Sequence, residues 1–182
     1  ASERLQLDDV YEARVRYLGE VYDLQAKVTW KKDKQIGFEI VEASKETLIF
    51  LKRLLHPFQI ASSMQLMDAS FMHEQPDGNI WYHGDENSDL YIWVNLDTGS
   101  VRAWQLNIGD RYGDWSKKDG LATGELVESG ATSDLLGAHP QSRSMSPHDS
   151  VDDSFRQLVT DIFVALEIPE RDRLLQTVTD QD

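Results

Sequence analysis

The chain has 182 residues, 40% of them hydrophobic and 27% charged, with five Trp, six Tyr and six Phe, a globular composition with room for one good core or two small ones. It has no cysteine, which excludes disulfides, thiolate zinc sites and cysteine nucleophiles. No run approaches the roughly 18 apolar residues of a membrane span, and the opening ASERLQLDD lacks the basic start and apolar stretch of a signal peptide, so a soluble, cytoplasmic chain is expected.

The net charge of -14 is unevenly spread. Residues 1–60 hold ten Lys+Arg and ten Asp+Glu, which leaves 18 - 10 = 8 basic and 32 - 10 = 22 acidic residues in 61–182. All of the excess therefore falls in the second part, whose surface repels phosphate backbones, nucleic-acid polymers and anionic membranes. The asymmetry divides the chain into two modules, 1–58 and 59–182.

In chain order, VYEARVRYL (10–18) and VYDLQAKVTW (21–30) are rich in β-branched and aromatic residues and flank Gly19-Glu20, which predicts a hairpin. Alternation in the second run puts Tyr22, Leu24, Ala26, Val28 and Trp30 on one buried face. Lys31 to Lys34 form a solvated turn, and Gln35 to Val41 return as a further strand. From Ser44 the period becomes helical: Leu48, Ile49, Leu51, Leu54 and Leu55 form an apolar stripe, Ser44 caps its start and Pro57 is expected to stop it. Residues 57–68 are readable as strand or connector.

A meander follows. ASFMHE and GNIWYHG flank the turn Gln75-Pro76-Asp77-Gly78, and LYIWVNL and SVRAWQLN flank Asp97-Thr98-Gly99. Trp81, Trp93, Trp104 and Trp115 recur at spacings of 12, 11 and 11, one per strand if each step is a strand plus a turn. Residues 116–149 turn to Gly, Ser, Asp and Pro and read as a loop or linker. Val151, Phe155, Leu158, Val159, Ile162, Phe163 and Leu166 then form a full helical stripe, with Ser150 and Asp153 in capping-box positions, and Pro169 opens a last short helix carrying Leu174, Leu175 and Val178. The expected fold class is α+β, mainly antiparallel: a partial barrel with a helix, then an acidic meander packed by a C-terminal helix.

The stretch from about Leu7 to Leu55, with YEARVRY, a strand ending in V-x-W at Val28 to Trp30, a charged turn, I-G-F at Ile36, Gly37 and Phe38, and then a helix, resembles the C-terminal half of a PilZ domain. The resemblance implies part of a six-stranded β-barrel followed by a helix, in a family with many receptors for the bacterial second messenger cyclic di-GMP. In that family the ligand is held by R-x-x-x-R and [D/N]-x-S-x-x-G motifs upstream of the matched segment. Neither occurs here: Arg171 and Arg173 are too close together and on a different element, and Asp68-Ala69-Ser70 lacks the glycine. No ligand-binding residue is carried over, and the chain is expected to be the downstream part of a longer protein.

For site chemistry, His73 and His83 with Asp85 and Glu86 are of metal-ligating type, but their spacing fits no compact metal motif; His139 and His148 lie in the linker-like stretch. There is no G-x-S-x-G, H-E-x-x-H or G-x-x-x-x-G-K, and only the acidic cluster DENSD (85–89) offers paired carboxylates for acid-base work. No catalytic or metal residue is assigned. The Trp series Trp81, Trp93, Trp104 and Trp115 serves as core, as an interaction face for a sugar, peptide or base, or as a dimer interface. The implied function is a non-catalytic bacterial regulatory protein related to cyclic di-GMP receptors, acting through a protein partner or a conformational change, with cyclic di-GMP as ligand where the upstream motifs exist. The alternatives are a nucleotide-independent interaction module and a hydrolase using the loop carboxylates.

Overall fold

The computed structural model describes residues 5–17, 19–33, 35–68, 79–128 and 143–179. They form two compact units, Ala1–Leu55 and His56–Asp182, each with its own antiparallel sheet, so the fold is α+β.

In the first unit β1 (Val10–Tyr17), β2 (Glu20–Lys32) and β3 (Gln35–Ala43) form an open sheet in the order β1-β2-β3. No closed barrel is present among the described residues. Gly19 and Asp33 sit at the two hairpin turns with φ of 87° and 52°, the left-handed region that a tight reversal requires. Register sets Tyr11 opposite Ala26, Ala13 opposite Leu24 and Val15 opposite Tyr22, so one face is apolar. Ala26 and Val28 are buried on it, and Phe50 of the following helix stacks on Tyr22 with ring centroids 3.7 Å apart. Trp30 departs from the expected buried face: a bulge between Val28 and Trp30 displaces it, and it is 47% exposed, lying across Gly37. A Cβ at position 37 would collide with the Trp30 indole, which explains physically why glycine stands between Ile36 and Phe38.

Helix α1 (Lys45–Ser63) begins as expected, with Ser44 Oγ accepting the Thr47 N–H at 3.1 Å. It does not stop at Pro57, which lies inside it. An interior proline forfeits one backbone bond and costs about 3 kcal/mol. Burial of Ile60 (1% exposed) and Ala61 in the core of the second unit offsets that cost, so the ambiguous stretch continues as helix before β4 (Gln65–Leu66). The strand expected at ASFMHE and its turn lie outside the described residues.

The second unit is a seven-stranded sheet in the order β10-β9-β8-β7-β6-β5-β4. It comprises β5 (Asn79–Gly84), β6 (Ser88–Val94), β7 (Val101–Ile108), β8 (Arg111–Ser116), β9 (Gly120–Glu128) and β10 (Arg143–Pro147). The last two correct the reading of 116–149 as linker. Their small residues belong to packing, not to flexibility: at Gly124 a Cβ would run into the Ser146 carbonyl oxygen and come within 2.6 Å of Tyr112 Cε1. Residues 129–142 lie outside the described set.

The inner face of this sheet carries Leu90, Ile92, Trp104, Leu106 and Ile108, all buried, under α2 (Asp153–Ala165) and α3 (Arg171–Thr179). Phe155, Val159, Ile162 and Phe163 of α2 and Leu174 and Val178 of α3 complete the core. Asp152 caps α2, in place of the expected Ser150 and Asp153: its Oδ1 accepts from the Ser154 and Phe155 N–H groups at 2.9 and 3.2 Å. Its Oδ2 takes Arg111 Nη2 at 2.8 Å, and that guanidinium lies 4.3 Å from the centre of the Phe155 ring.

Gly124→Ala should lower the unfolding free energy by about 1–3 kcal/mol in urea denaturation, because backbone of the adjacent strand must move. The Ser154 hydroxyl and the Phe155 N–H hold the Asp152 carboxyl below the usual aspartate range. A depressed folded value means that its contribution is present above the unfolded value of about 3.9 and is lost as pH falls through the folded one. The urea midpoint of Asp152→Asn should therefore lie below that of the parent at neutral pH, with the gap narrowing as pH drops below about 4.

Candidate functional site

Strand alternation decides what the four tryptophans can do together. Trp81 pairs with Tyr91, Asn79 with Trp93, and Trp104 with both Ile92 and Trp115. Side chains of directly opposed residues share a face. Trp81 and Trp93 therefore project from the outer face of the sheet, and Trp104 and Trp115 from the helix-covered inner face. The four do not form one interaction face.

On the outer face Trp81 and Tyr91 are stacked, with ring centroids 5.8 Å apart and planes 14° apart, and Trp93 follows Tyr91 at 6.4 Å. All three rings are half-buried, and Asp89 anchors the first of them: its Oδ1 accepts Trp81 Nε1–H at 2.9 Å and lies 2.8 Å from His83 Nδ1. Burial, followed by the Asp89 charge, pushes the Tyr91 phenol up to about 12, so it is a neutral hydroxyl at any physiological pH. Gln105 donates to Asn107 Oδ1 at 2.8 Å on the next strand, and burial raises the Asp114 carboxyl on the one after. This face holds rings, amides and carboxylates.

The inner face opens into a cavity at one edge. Trp104 is fully buried, meets Phe163 edge to face at 5.0 Å, and donates Nε1–H to Thr177 Oγ1 at 2.6 Å. Trp115, its neighbour across β7 and β8, is half-buried and lines a cavity of about 570 Å³ with Thr98, Ser100, Lys117, Arg173 and Gln176. The β6–β7 turn supplies Thr98 and Ser100, whose hydroxyls are 2.8 Å apart. In that turn Gly99 takes φ 65°, and its carbonyl receives Arg173 Nη1 at 2.5 Å, which locks the α3 guanidinium at the cavity.

The hairpin tip at 85–89 is held by its backbone geometry and by side-chain contacts. Glu86 and Asn87 adopt φ of 57° and 52°, the pair of left-handed residues of a tight hairpin turn. Glu86 Oε2 lies 2.8 Å from His56 Nε2, and the Asp85 N–H donates to Ser63 Oγ at 2.9 Å. Asp89 is spent on Trp81 and His83. Among the described residues no three His, Asp or Glu side chains gather as a metal site. His73 and His139 lie outside the described residues, and His148 is exposed, its backbone N–H donating to the Thr123 carbonyl at 2.9 Å.

The cavity escapes sequence reading because Lys117 and Arg173 stand 56 positions apart on a turn and a helix that only the fold brings together. The usable signal is indirect: they are two of only eight basic residues in the acidic part. Compared with protein-family models, with curated proteins and with solved structures, the chain matches none.

Asp89→Ala removes the acceptor shared by Trp81 and His83, and should cost about 1–3 kcal/mol in urea denaturation and shift the Trp81 indole N–H resonance. Unchanged stability and an unchanged indole resonance would show that Asp89 does not hold the aromatic row.

Proposed function

We propose that the chain is a non-catalytic bacterial regulatory protein related to cyclic di-GMP receptors of the PilZ family, with its output delivered by binding a protein partner. The observation that carries the reading is the contact between the two halves of its sequence signature. Trp30, which ends the V-x-W strand, lies across Gly37, the centre of I-G-F, where any side chain would collide with the indole. The order strand, strand, strand, helix over Val10–Ser63 supports the same relation. Two ion pairs lie on the sheet of the first unit, Arg14 with Asp23 at 2.6 Å and Lys27 with Asp8 at 2.9 Å.

The output side of the proposal rests on exposed apolar surface. Trp30, Phe38, Ile40 and Val41 are 40–53% exposed on β2 and β3, more large apolar surface than a solvated sheet needs. That observation also favours a second reading, an interaction module that needs no nucleotide.

Calorimetric titration of cyclic di-GMP into these 182 residues and into a form extended upstream separates the two. The expected result is saturable heat from the extended form and none from the shorter one, since R-x-x-x-R and [D/N]-x-S-x-x-G are absent from this sequence. No binding by either form removes the signalling reading and leaves the nucleotide-independent one.

A further inference from the structure

We propose that the cavity beside Trp115 is a binding site for a small anion that carries a planar ring. Its volume of about 570 Å³ falls in the range of small-molecule pockets, roughly 300–1,000 Å³. The proposal concerns the second unit alone and stands or falls independently of any cyclic di-GMP reading of the first.

Charge carries the argument. Residues 61–182 hold 22 acidic and 8 basic side chains, yet the cavity is lined by Lys117 and Arg173 and by no carboxylate. Elsewhere in the unit three cations have carboxylate partners, Arg111 with Asp152 at 2.8 Å, Arg171 with Asp172 at 3.0 Å and Lys118 with Asp119 at 4.0 Å, and Arg156 donates to the Val178 carbonyl at 3.3 Å. Neither Lys117 nor Arg173 forms an ion pair among the described residues. A cation kept only for solubility has no reason to line a concavity, and in an acidic surface an uncompensated pair is a local well for negative charge.

The remaining lining groups define the rest of the ligand. Arg173 spends one N–H on the Gly99 carbonyl, which fixes the guanidinium and leaves the other donors of its fork. The Thr177 hydroxyl is engaged at both ends, receiving Trp104 Nε1–H and donating to the Leu174 carbonyl, so it shapes the wall without selecting a partner. Gln176 and the Thr98–Ser100 hydroxyl pair supply neutral hydrogen bonds at the rim. Trp115 supplies an aromatic surface for a flat ring. Two cations, neutral polar groups and an indole together recognise a phosphate or carboxylate attached to an aromatic or heterocyclic ring.

Guanosine monophosphate and benzoate, titrated separately into the intact 182-residue chain, test the proposal through its amide and indole N–H resonances, with guanosine and benzamide as uncharged counterparts. At least one anion should shift the Trp115 indole and the Lys117 and Arg173 amides saturably, and its uncharged counterpart should not. Tighter binding of the monophosphate would assign a phosphate ligand, and tighter binding of benzoate a carboxylate one. Lys117→Ala should weaken the binding roughly tenfold while leaving the dispersed spectrum intact, and Arg173→Lys, which keeps the charge but loses the fork held by the Gly99 carbonyl, should also weaken it. The proposal is overturned if neither anion gives a saturable shift, if the uncharged compounds bind equally well, or if Lys117→Ala leaves the affinity unchanged.

Discussion

The burial of Trp104 organises the second unit. Its indole has no exposed surface, it meets Phe163 of α2 edge to face, and its N–H is satisfied by Thr177 of α3. One side chain on the central strand β7 thus fixes both helices against the sheet, one through apolar contact and the other through a hydrogen bond that a buried indole must find. Once α2 and α3 lie on that face, strand alternation dictates the rest. Leu90, Ile92, Leu106 and Ile108 face the helices, while Trp81, Tyr91 and Trp93 must face away.

A local and a global view of charge lead to different ligands. The excess of 14 negative charges in residues 61–182 argues against any anionic partner when averaged over the surface. At the scale of one cavity the average does not apply, because exposed charges more than about 8 Å away are screened at physiological ionic strength. Lys117 and Arg173 are the charged side chains that line this wall.

Much of the fold is legible in the sequence because its signals are local. The first hairpin, the Ser44 cap, the Asp97-Thr98-Gly99 turn and the stripe from Phe155 to Leu166 each depend on residues a few positions apart. The departures arise where tertiary contact overrides a local rule. Pro57 is a helix breaker by every local criterion, yet Ile60 and Ala61 are buried one turn later and the helix continues. Residues 120–128 read as linker because Gly120 and Gly124 break up a short run that leads into a stretch rich in Gly, Ser and Asp, but Gly124 is there to admit the Ser146 carbonyl and Thr123 is buried, accepting from the Asp152 N–H. The tryptophan spacing shows one aromatic per strand but not its face: steps of 12 and 11 through turns of unequal length put two indoles on each side. The cavity is least legible, since its two cations lie far apart in sequence.

The two sheets end differently at their edges. The larger one closes on β4, only two residues long, and on β10, which terminates at Pro147, a residue with no amide hydrogen to offer a neighbour. The smaller one ends on the eight-residue β1 and on the nine-residue β3, the latter with Ile36, Phe38, Ile40 and Val41 exposed. Two bulges in its pairing with β2 twist that edge, and Glu39 and Glu42 interrupt its apolar run. These are the devices by which a strand discourages other chains from adding to it. Among the described residues, self-association through main-chain pairing thus finds its longer free edges on the smaller sheet, at β1 and β3, and the stability of each against β2 governs how accessible that edge is.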